Sequence, residues 1–463
     1  MAGDAKSIAE LRAAIRGTVL QSVDADYCAA RAVWNGMIDR SPRLIVRCEG
    51  VADVIATVNY ARRHGLLVAV RGGGHHVAGY ATCDDGMMID LSAMRAVQVD
   101  PGARSVRVQG GATWRDVDWE TTAFGLATPG GLVSTTGVGG LTLSGGIGWL
   151  RGSHGLCIDN LLSADVVTAD GRLLHASGHD NSDLFWAVRG GGNFGIVTSF
   201  EFRLHPIEPE LMACLAVYPE TQAAPVIAAW RDFMATAPDP LLGCLIEFST
   251  LPDDPSLPQA ARGARVVTVA AVHDGPADEG EALVRPLRQL GSTLVDFSAR
   301  MPYCTIQSIQ DELYPKGRDR SYFKSLYLSR LDAAVIADIV SGLRARPSDM
   351  TYTSVWNFGG AFARVAADAT AFGDRSMPYM LSIDAMWSKP EDDATNIAWA
   401  RGFWSDMRRH SDGRLYLNFP GHGEDAGLVR QAVGAGTYAR LVEVKRKYDP
   451  TNFFRINQNI PPG

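Results

Sequence analysis

Val70-Arg71-Gly72-Gly73-Gly74-His75-His76-Val77-Ala78-Gly79-Tyr80 is the stretch on which the reading of the chain turns. The run Gly65-Leu66-Leu67-Val68-Ala69-Val70 leading into it has the apolar texture of a short buried strand, and three glycines then strip the following turn of side chains. Only backbone N–H groups are left to face a ligand. Glycine reaches φ > 0 at no steric cost, and successive amides in such a turn form a concave nest for phosphate or pyrophosphate. His75 follows at once, within reach of whatever the nest holds. Adjacent side chains of an extended segment point to opposite faces, so His75 and His76 do not share one ion; no metal site is expected.

Upstream, residues 7–18 and 24–36 read as helices, residues 42–47 as a strand, and residues 51–64 as a helix with Val51, Val54, Ile55, Val58 and Ala61 on one stripe. Strand, helix, strand and nest make a βαβ opening. Downstream come short strands at 87–91, 96–99 and 105–108, then a helix over 112–123. A second glycine region runs from Pro129, Gly130 and Gly131 through Ser134, Thr135, Gly137, Val138, Gly139 and Gly140 to Gly145, Gly146 and Gly148. A third, Arg189-Gly190-Gly191-Gly192-Asn193-Phe194-Gly195-Ile196-Val197, closes this half. Gly137-x-Gly139 lacks the third glycine and the acidic partner of a dinucleotide fingerprint, which argues against a Rossmann fold. Many of the 48 glycines fall before residue 200, and three clusters suggest an elongated ligand gripped along its length.

At 463 residues, 46% hydrophobic and 21% charged, the chain has room for two or three domains with a large core. Its formal net charge of −7, without a Lys/Arg stripe, argues against a nucleic-acid partner. Seven cysteines with no paired spacing suggest reduced thiols. Residues 1–20 mix charges at helical intervals instead of forming an apolar signal core, and no run suits a membrane span. The expectation is a cytoplasmic monomer or homodimer acting on a small molecule.

After residue 208 the glycine density falls. A strand at 264–269, a helix over 276–290 kinked at Pro286 and a strand at 379–387 suggest an α+β domain with an antiparallel sheet. In the last of these, a period of two puts Met380, Ser382, Asp384 and Met386 on one side and Leu381, Ile383 and Trp387 on the other.

Taken together, Arg71-Gly72-Gly73-Gly74-His75, the region 129–148, Gly155-Leu156-x-x-Asp159-Asn160, Gly190–Gly195, Tyr416-x-Asn418 and Tyr448-Asp449-Pro450-x-Asn452-x-Phe454 resemble the berberine-bridge-enzyme-like flavin oxidoreductases of the vanillyl-alcohol-oxidase type. The resemblance implies an α+β fold: a two-part PCMH-type FAD-binding domain, residues 1–207 with a returning segment 406–463, and a substrate domain, 208–405, with an antiparallel sheet. It implies FAD bonded through His75, with His76 a bystander and the three glycine clusters, Arg71, Gly79, Asn160, Tyr416 and Asn418 around the cofactor. Relatives carry a cysteine for a second flavin bond where this chain has Val133, so a single bond is expected.

Val138 either gates oxygen, favouring an oxidase, or merely packs. Tyr416 is the first candidate for the base, on a strand shared with Asn418. Asp384, beside Ser382, is either a second acid–base group or a solvated strand carboxylate. Tyr303, Gln307 and the run 322–325 are candidates for the pocket or its rim. The expected reaction is hydride transfer from an aromatic or secondary-metabolite alcohol or amine to FAD, with O2 reoxidising the flavin to give H2O2. Alternatives are a carbohydrate oxidase of the same fold and a non-redox flavin-binding protein.

Overall fold

The computed structural model describes residues 2–192, 194–423 and 427–463, with the backbone alone for 2–5; Asn193 of the third glycine cluster lies outside the described residues. The βαβ opening forms a four-stranded sheet in the order Thr18–Leu20, Leu44–Arg47, Met87–Asp90, Val68–Arg71, the last three parallel. Helix Val51–Arg63 crosses between two of these strands and buries Val54, Val58 and Ala61. The first helix spans Ala2–Ala14, ending early because Thr18–Leu20 joins the sheet. The helix expected over 24–36 is confined to Tyr27–Arg31. Beyond it the backbone turns extended, and Asn35 is drawn away by the carbonyls of Val77 and Ser321.

A second sheet of five antiparallel strands, Val97–Asp100, Ser105–Gln109, Ile196–Arg203, Leu161–Val167 and Leu173–Ser177, packs with helix Trp114–Thr122. Helices Leu428–Val433 and Ala435–Tyr448 pack into the same core through Val429, Leu441 and Val444. Buried Lys445 and Asp449 pair at 2.7 Å, and Asp449 also takes the amides of Phe453 and Phe454, which pins the chain end against the first sheet's core.

The large antiparallel sheet runs Val295–Asp296, Leu211–Pro219, Arg265–His273, Cys244–Thr250, Tyr352–Asn357, Tyr379–Trp387, Arg320–Leu328, with Ala299–Met301 also paired to Leu211–Pro219. Helices Ala223–Met234, Ala333–Arg344 and Asp393–Met407 cover one face, against Leu381, Ile383 and Trp387. Helix Ala277–Val284 passes into a 3-10 turn at Arg285–Gln289, where Pro286 removes a donor. The other face packs Leu245, Trp356 and Met380 against Ile147, Trp149 and Tyr416, so the sheet meets the glycine loops through its uncovered side.

Candidate functional site

A cleft with a cavity of about 270 Å³ lies where that uncovered face meets the loops. One wall is backbone: Gly72 to His76, Gly137, Gly139, Gly140 and Gly195 to Val197. The other is side chain: Leu245, Glu247, Phe323, Ser354, Trp356 and Asp384, all from alternate positions of neighbouring strands. Tyr416, Asn418 and Phe419 stand between the walls, with Asn457 and Gln458 of the chain end.

The glycines are held mainly by one another. A Cβ on Gly73 would come within 2.5 Å of the Gly137 backbone, and one on Gly137 within 2.3 Å of Gly73. Backbone lies on backbone where the first two clusters meet. A Cβ would likewise come within 2.7 Å of the Trp114 ring at Gly130, 2.5 Å of the Gly130 carbonyl at Gly148, 2.8 Å of Phe372 at Gly145 and 2.3 Å of Cys157 at Gly146. None of these four lines the cleft, so density of glycine here reports close packing more than ligand approach. Gly140 is the contrast: it faces the cleft, and a Cβ there would have nothing within 4 Å. Among the described residues no group accepts a hydrogen bond from the amides of Gly72 to His76, Gly139 or Gly140.

His75 stacks on Trp34, ring centroids 4.9 Å apart and 19° from parallel. Its Nε2 is buried without a hydrogen-bond partner among the described residues. Burial pushes the imidazole down to about 4, partly offset by a bond to its own backbone, so it is neutral at pH 7. His76 also lines the cleft, and its Nδ1 accepts the Ala78 amide at 3.0 Å. Burial holds it at about 4 as well.

Tyr416 Oη accepts hydrogen bonds from the amides of Gly146 (3.1 Å) and Ile147 (3.3 Å) and from Asn418 Nδ2 (2.8 Å). Asn418 Nδ2 also donates to the Leu141 carbonyl. Burial raises the phenol to about 12, while these donors pull the other way. The expected strand is absent: residues 415–419 form a turn, closed by Phe419 N–H on the Tyr416 carbonyl at 3.1 Å, which curls Asn418 back onto the hydroxyl.

Asp384 lines the cleft with 7% exposure, and burial pushes it up to about 7. It is therefore not a solvated carboxylate. Ser382 is fully buried off the cleft and donates its hydroxyl to Asp384, so it positions that group without meeting a ligand.

Several other expected ligand contacts point elsewhere. Arg71 Nη1 donates to the Ala30 carbonyl at 2.5 Å and Nε lies 3.8 Å from Asp90, bracing the nest from behind. Gly79 turns at φ +70° under Ile38. Pro129 is buried off the cleft wall, and Thr135 is exposed away from it. Ser134 is taken by Asp311 through both its amide and its hydroxyl. Val138 is fully buried in the core that holds Trp114 and Phe200, so it packs and does not line the cleft. Asn160 closes a local turn on the carbonyls of His154 and Leu156 and pairs with His205 Nε2 at 2.6 Å. Of the run 322–325 only Phe323 reaches the cleft, while Gln307 bonds Asp118 at 3.0 Å and Tyr303 is buried in the neighbouring core. Sequence reasoning missed Trp34, Thr136, Glu247, Gln310, Tyr314, Ser354 and Trp356; Thr136 lies within the second glycine region and the others belong to no motif, and the alternation of their strands was the available signal for Glu247, Ser354 and Trp356.

A backbone-lined cleft closed by an antiparallel sheet, with unpaired amides and a neutral histidine on its loop wall, suits an elongated ligand that carries phosphates. A family model described as "FAD binding domain" matches residues 42–177, and one described as "Berberine and berberine like" matches 416–461. The FAD-linked oxidoreductase pgmH of Aspergillus terreus is 32% identical over 475 residues, covering 96% of this chain and 94% of that protein. (R)-6-hydroxynicotine oxidase of Paenarthrobacter nicotinovorans is 31% identical over 467 residues, 97% of each. The solved 6-hydroxy-D-nicotine oxidase of Arthrobacter nicotinovorans superposes with a TM-score of 0.87 at 29% identity, covering 97% of this chain and 98% of that one. The chain belongs to the berberine-bridge-enzyme-like family of FAD-linked oxidoreductases. The residues present fit FAD, because the unpaired amides suit its phosphates and His75 offers a neutral, unpartnered nitrogen on the same wall. Among the described residues no three His, Cys, Asp or Glu side chains are grouped to hold a metal, and no helix is long and apolar enough to cross a membrane.

Proposed function

We propose that this chain is an oxidase for a small organic alcohol or amine, aromatic or of secondary metabolism, using FAD held by a single covalent bond to His75. When bound, FAD supplies the hydride acceptor and its reoxidation by O2 with release of H2O2. The observation that carries the reading is the cradle of three N–H donors around Tyr416 Oη at the cleft. Three donors around the oxygen stabilise the phenolate, the form that can accept a proton, against the burial that favours the phenol. As that phenolate, its own proton first released to solvent, Tyr416 takes the O–H or N–H proton of a substrate as the neighbouring carbon is oxidised.

Asp384, at about 7, has a pKa nearer the working pH and is the second candidate for that proton. His75 supports the tether through its neutral ring and free Nε2. Val133 lines the cleft but has no nucleophile, and Cys157 is buried off it beside Thr142 at 3.2 Å, which favours a single bond.

The reading is tested by mixing oxidised holoenzyme with panels of alcohols and amines without oxygen. A substrate bleaches the flavin absorbance, and admitting air restores it with release of H2O2. Absence of bleaching across both panels contradicts a redox role.

A further inference from the structure

The side-chain wall carries a second, half-buried acid that the proton transfer above does not use. Glu247 pairs across the sheet with Ser354, and Ser354 with Ser382; Asp384 follows two residues on, along the same face. With strands ~4.8 Å apart and a rise of ~3.4 Å per residue, the two acidic residues stand roughly 12 Å apart at the backbone, their side chains on the same face as Ser354. Both line the cleft.

Their oxygens are only half used. Ser382 donates to Asp384 Oδ1, and Gln310 Nε2 donates a long bond of 3.4 Å to Glu247 Oε1. Among the described residues no donor reaches Asp384 Oδ2 or Glu247 Oε2, and neither carboxyl has an ion-pair partner. The groups facing them are the phenols of Tyr314 and Tyr352, both pushed up by burial first, Tyr314 also by Asp384 and Glu247 and Tyr352 also by Glu247. Lys324 alternates to the far face of the sheet, its Nζ 4.0 Å from the Trp404 ring centre. Arg151 lies 5.4 Å from the Trp356 ring centre, its guanidinium taken by the carbonyls of Gly148, Cys244 and Asn357. Aromatic faces of Tyr314, Phe323 and Trp356 complete the enclosure.

A buried and a half-buried carboxylate facing one cleft without a cation are costly, and a cation placed between them recovers that cost with help from the rings. We infer that Glu247 and Asp384 select a substrate carrying a protonated amine, held between the two carboxylates against Tyr314, Phe323 and Trp356. This rests on the cleft being the substrate site proposed above. Burial pushes both carboxyls up to about 7, so both ionise as the pH rises through neutrality, and the preference for a cation strengthens in that direction.

The test is a titration of oxidised holoenzyme, followed by the shift in flavin absorbance, with N-methylbenzylamine and its neutral isostere benzyl methyl ether. At pH 8.5 the amine is expected to bind about tenfold tighter than the ether, and at pH 6 the advantage shrinks severalfold. Glu247→Gln and Asp384→Asn each remove most of the advantage, read as the ratio of amine to ether affinity within each variant. Equal affinity of the two ligands at pH 8.5, including no binding of either, overturns the inference, as does an advantage that survives both substitutions. Should a variant lose its flavin, the wild-type pH dependence decides: an advantage that does not grow between pH 6 and 8.5 overturns it. Bleaching by neutral alcohols with no amine preference sinks this inference and leaves the redox reading standing. An amine preference with no bleaching by any compound does the reverse.

Discussion

The two walls of the cleft are built on different principles. On the loop wall the backbone touches the ligand space, and residue choice is dictated by how closely one turn can approach another: Gly73 and Gly137 leave no room for a methyl group. On the sheet wall the backbone is withdrawn, and Glu247, Ser354, Trp356, Phe323 and Asp384 arrive by strand alternation. The first wall can change little without breaking the fold. The second can exchange side chains on a fixed frame.

The largest effect separating the walls is expected at Tyr416, which bridges them. Tyr416→Phe keeps the ring but removes the proton acceptor, and the rate of anaerobic flavin reduction by a substrate should fall ~10²–10⁴-fold with the flavin retained. Stopped-flow absorbance measures it; an unchanged rate would move the base to Asp384.

On the loop wall, Gly73→Ala drives a Cβ to 2.5 Å of the Gly137 backbone, which cannot swing aside as a side chain would. A loss of about 3 kcal/mol or more in denaturant unfolding is expected, with failure to retain FAD.

Next in size is the seam between the helices Trp114–Thr122 and Tyr303–Ser308, where buried Asp118 accepts Gln307 Nε2 at 3.0 Å and burial pushes it up to about 7. The folded state favours the protonated acid, so this contribution is full below an unfolded pKa of ~3.9 and is lost as the pH climbs through about 7. Asp118→Asn should therefore gain on wild type between pH 5 and 8.5, by on the order of 2–4 kcal/mol in urea unfolding. Parallel pH curves for the two proteins would show that Asp118 is not perturbed.

The smallest effect sharpens the comparison within one loop. Gly140→Ala meets nothing within 4 Å in helix Val138–Leu143, so stability should hold or rise by ~0.5–1 kcal/mol, while FAD loading of apoprotein slows because the methyl group enters the cleft. Identical destabilisation by Gly73→Ala and Gly140→Ala would erase the distinction between packing and ligand-facing glycines.

The same contrast explains what was legible in the sequence. Strand Tyr379–Trp387 and its two faces follow from period-two alternation, and the βαβ opening from a helical stripe between apolar runs. The position of the loop wall follows from its glycines, but their individual roles do not, since only the folded backbone shows that Gly130 meets Trp114 while Gly140 meets open space. Arg71, Ser134 and Asn160 carry polar side chains beside the glycines, yet each is claimed by a partner distant in sequence or by its own turn. Glu247 and Trp34 had no local mark, because what makes them part of the site is sheet register in one case and a stacking contact across 41 residues in the other.

The central claim is that His75 anchors the cofactor at the loop wall, and the most direct measurement is the absorbance and intact mass of acid-precipitated protein, wild type against His75→Ala. Yellow colour and the added mass of one FAD should remain with the wild-type polypeptide and be absent from the variant. Flavin released into the supernatant from both would contradict the anchor and, with it, the placement of the cofactor against this wall.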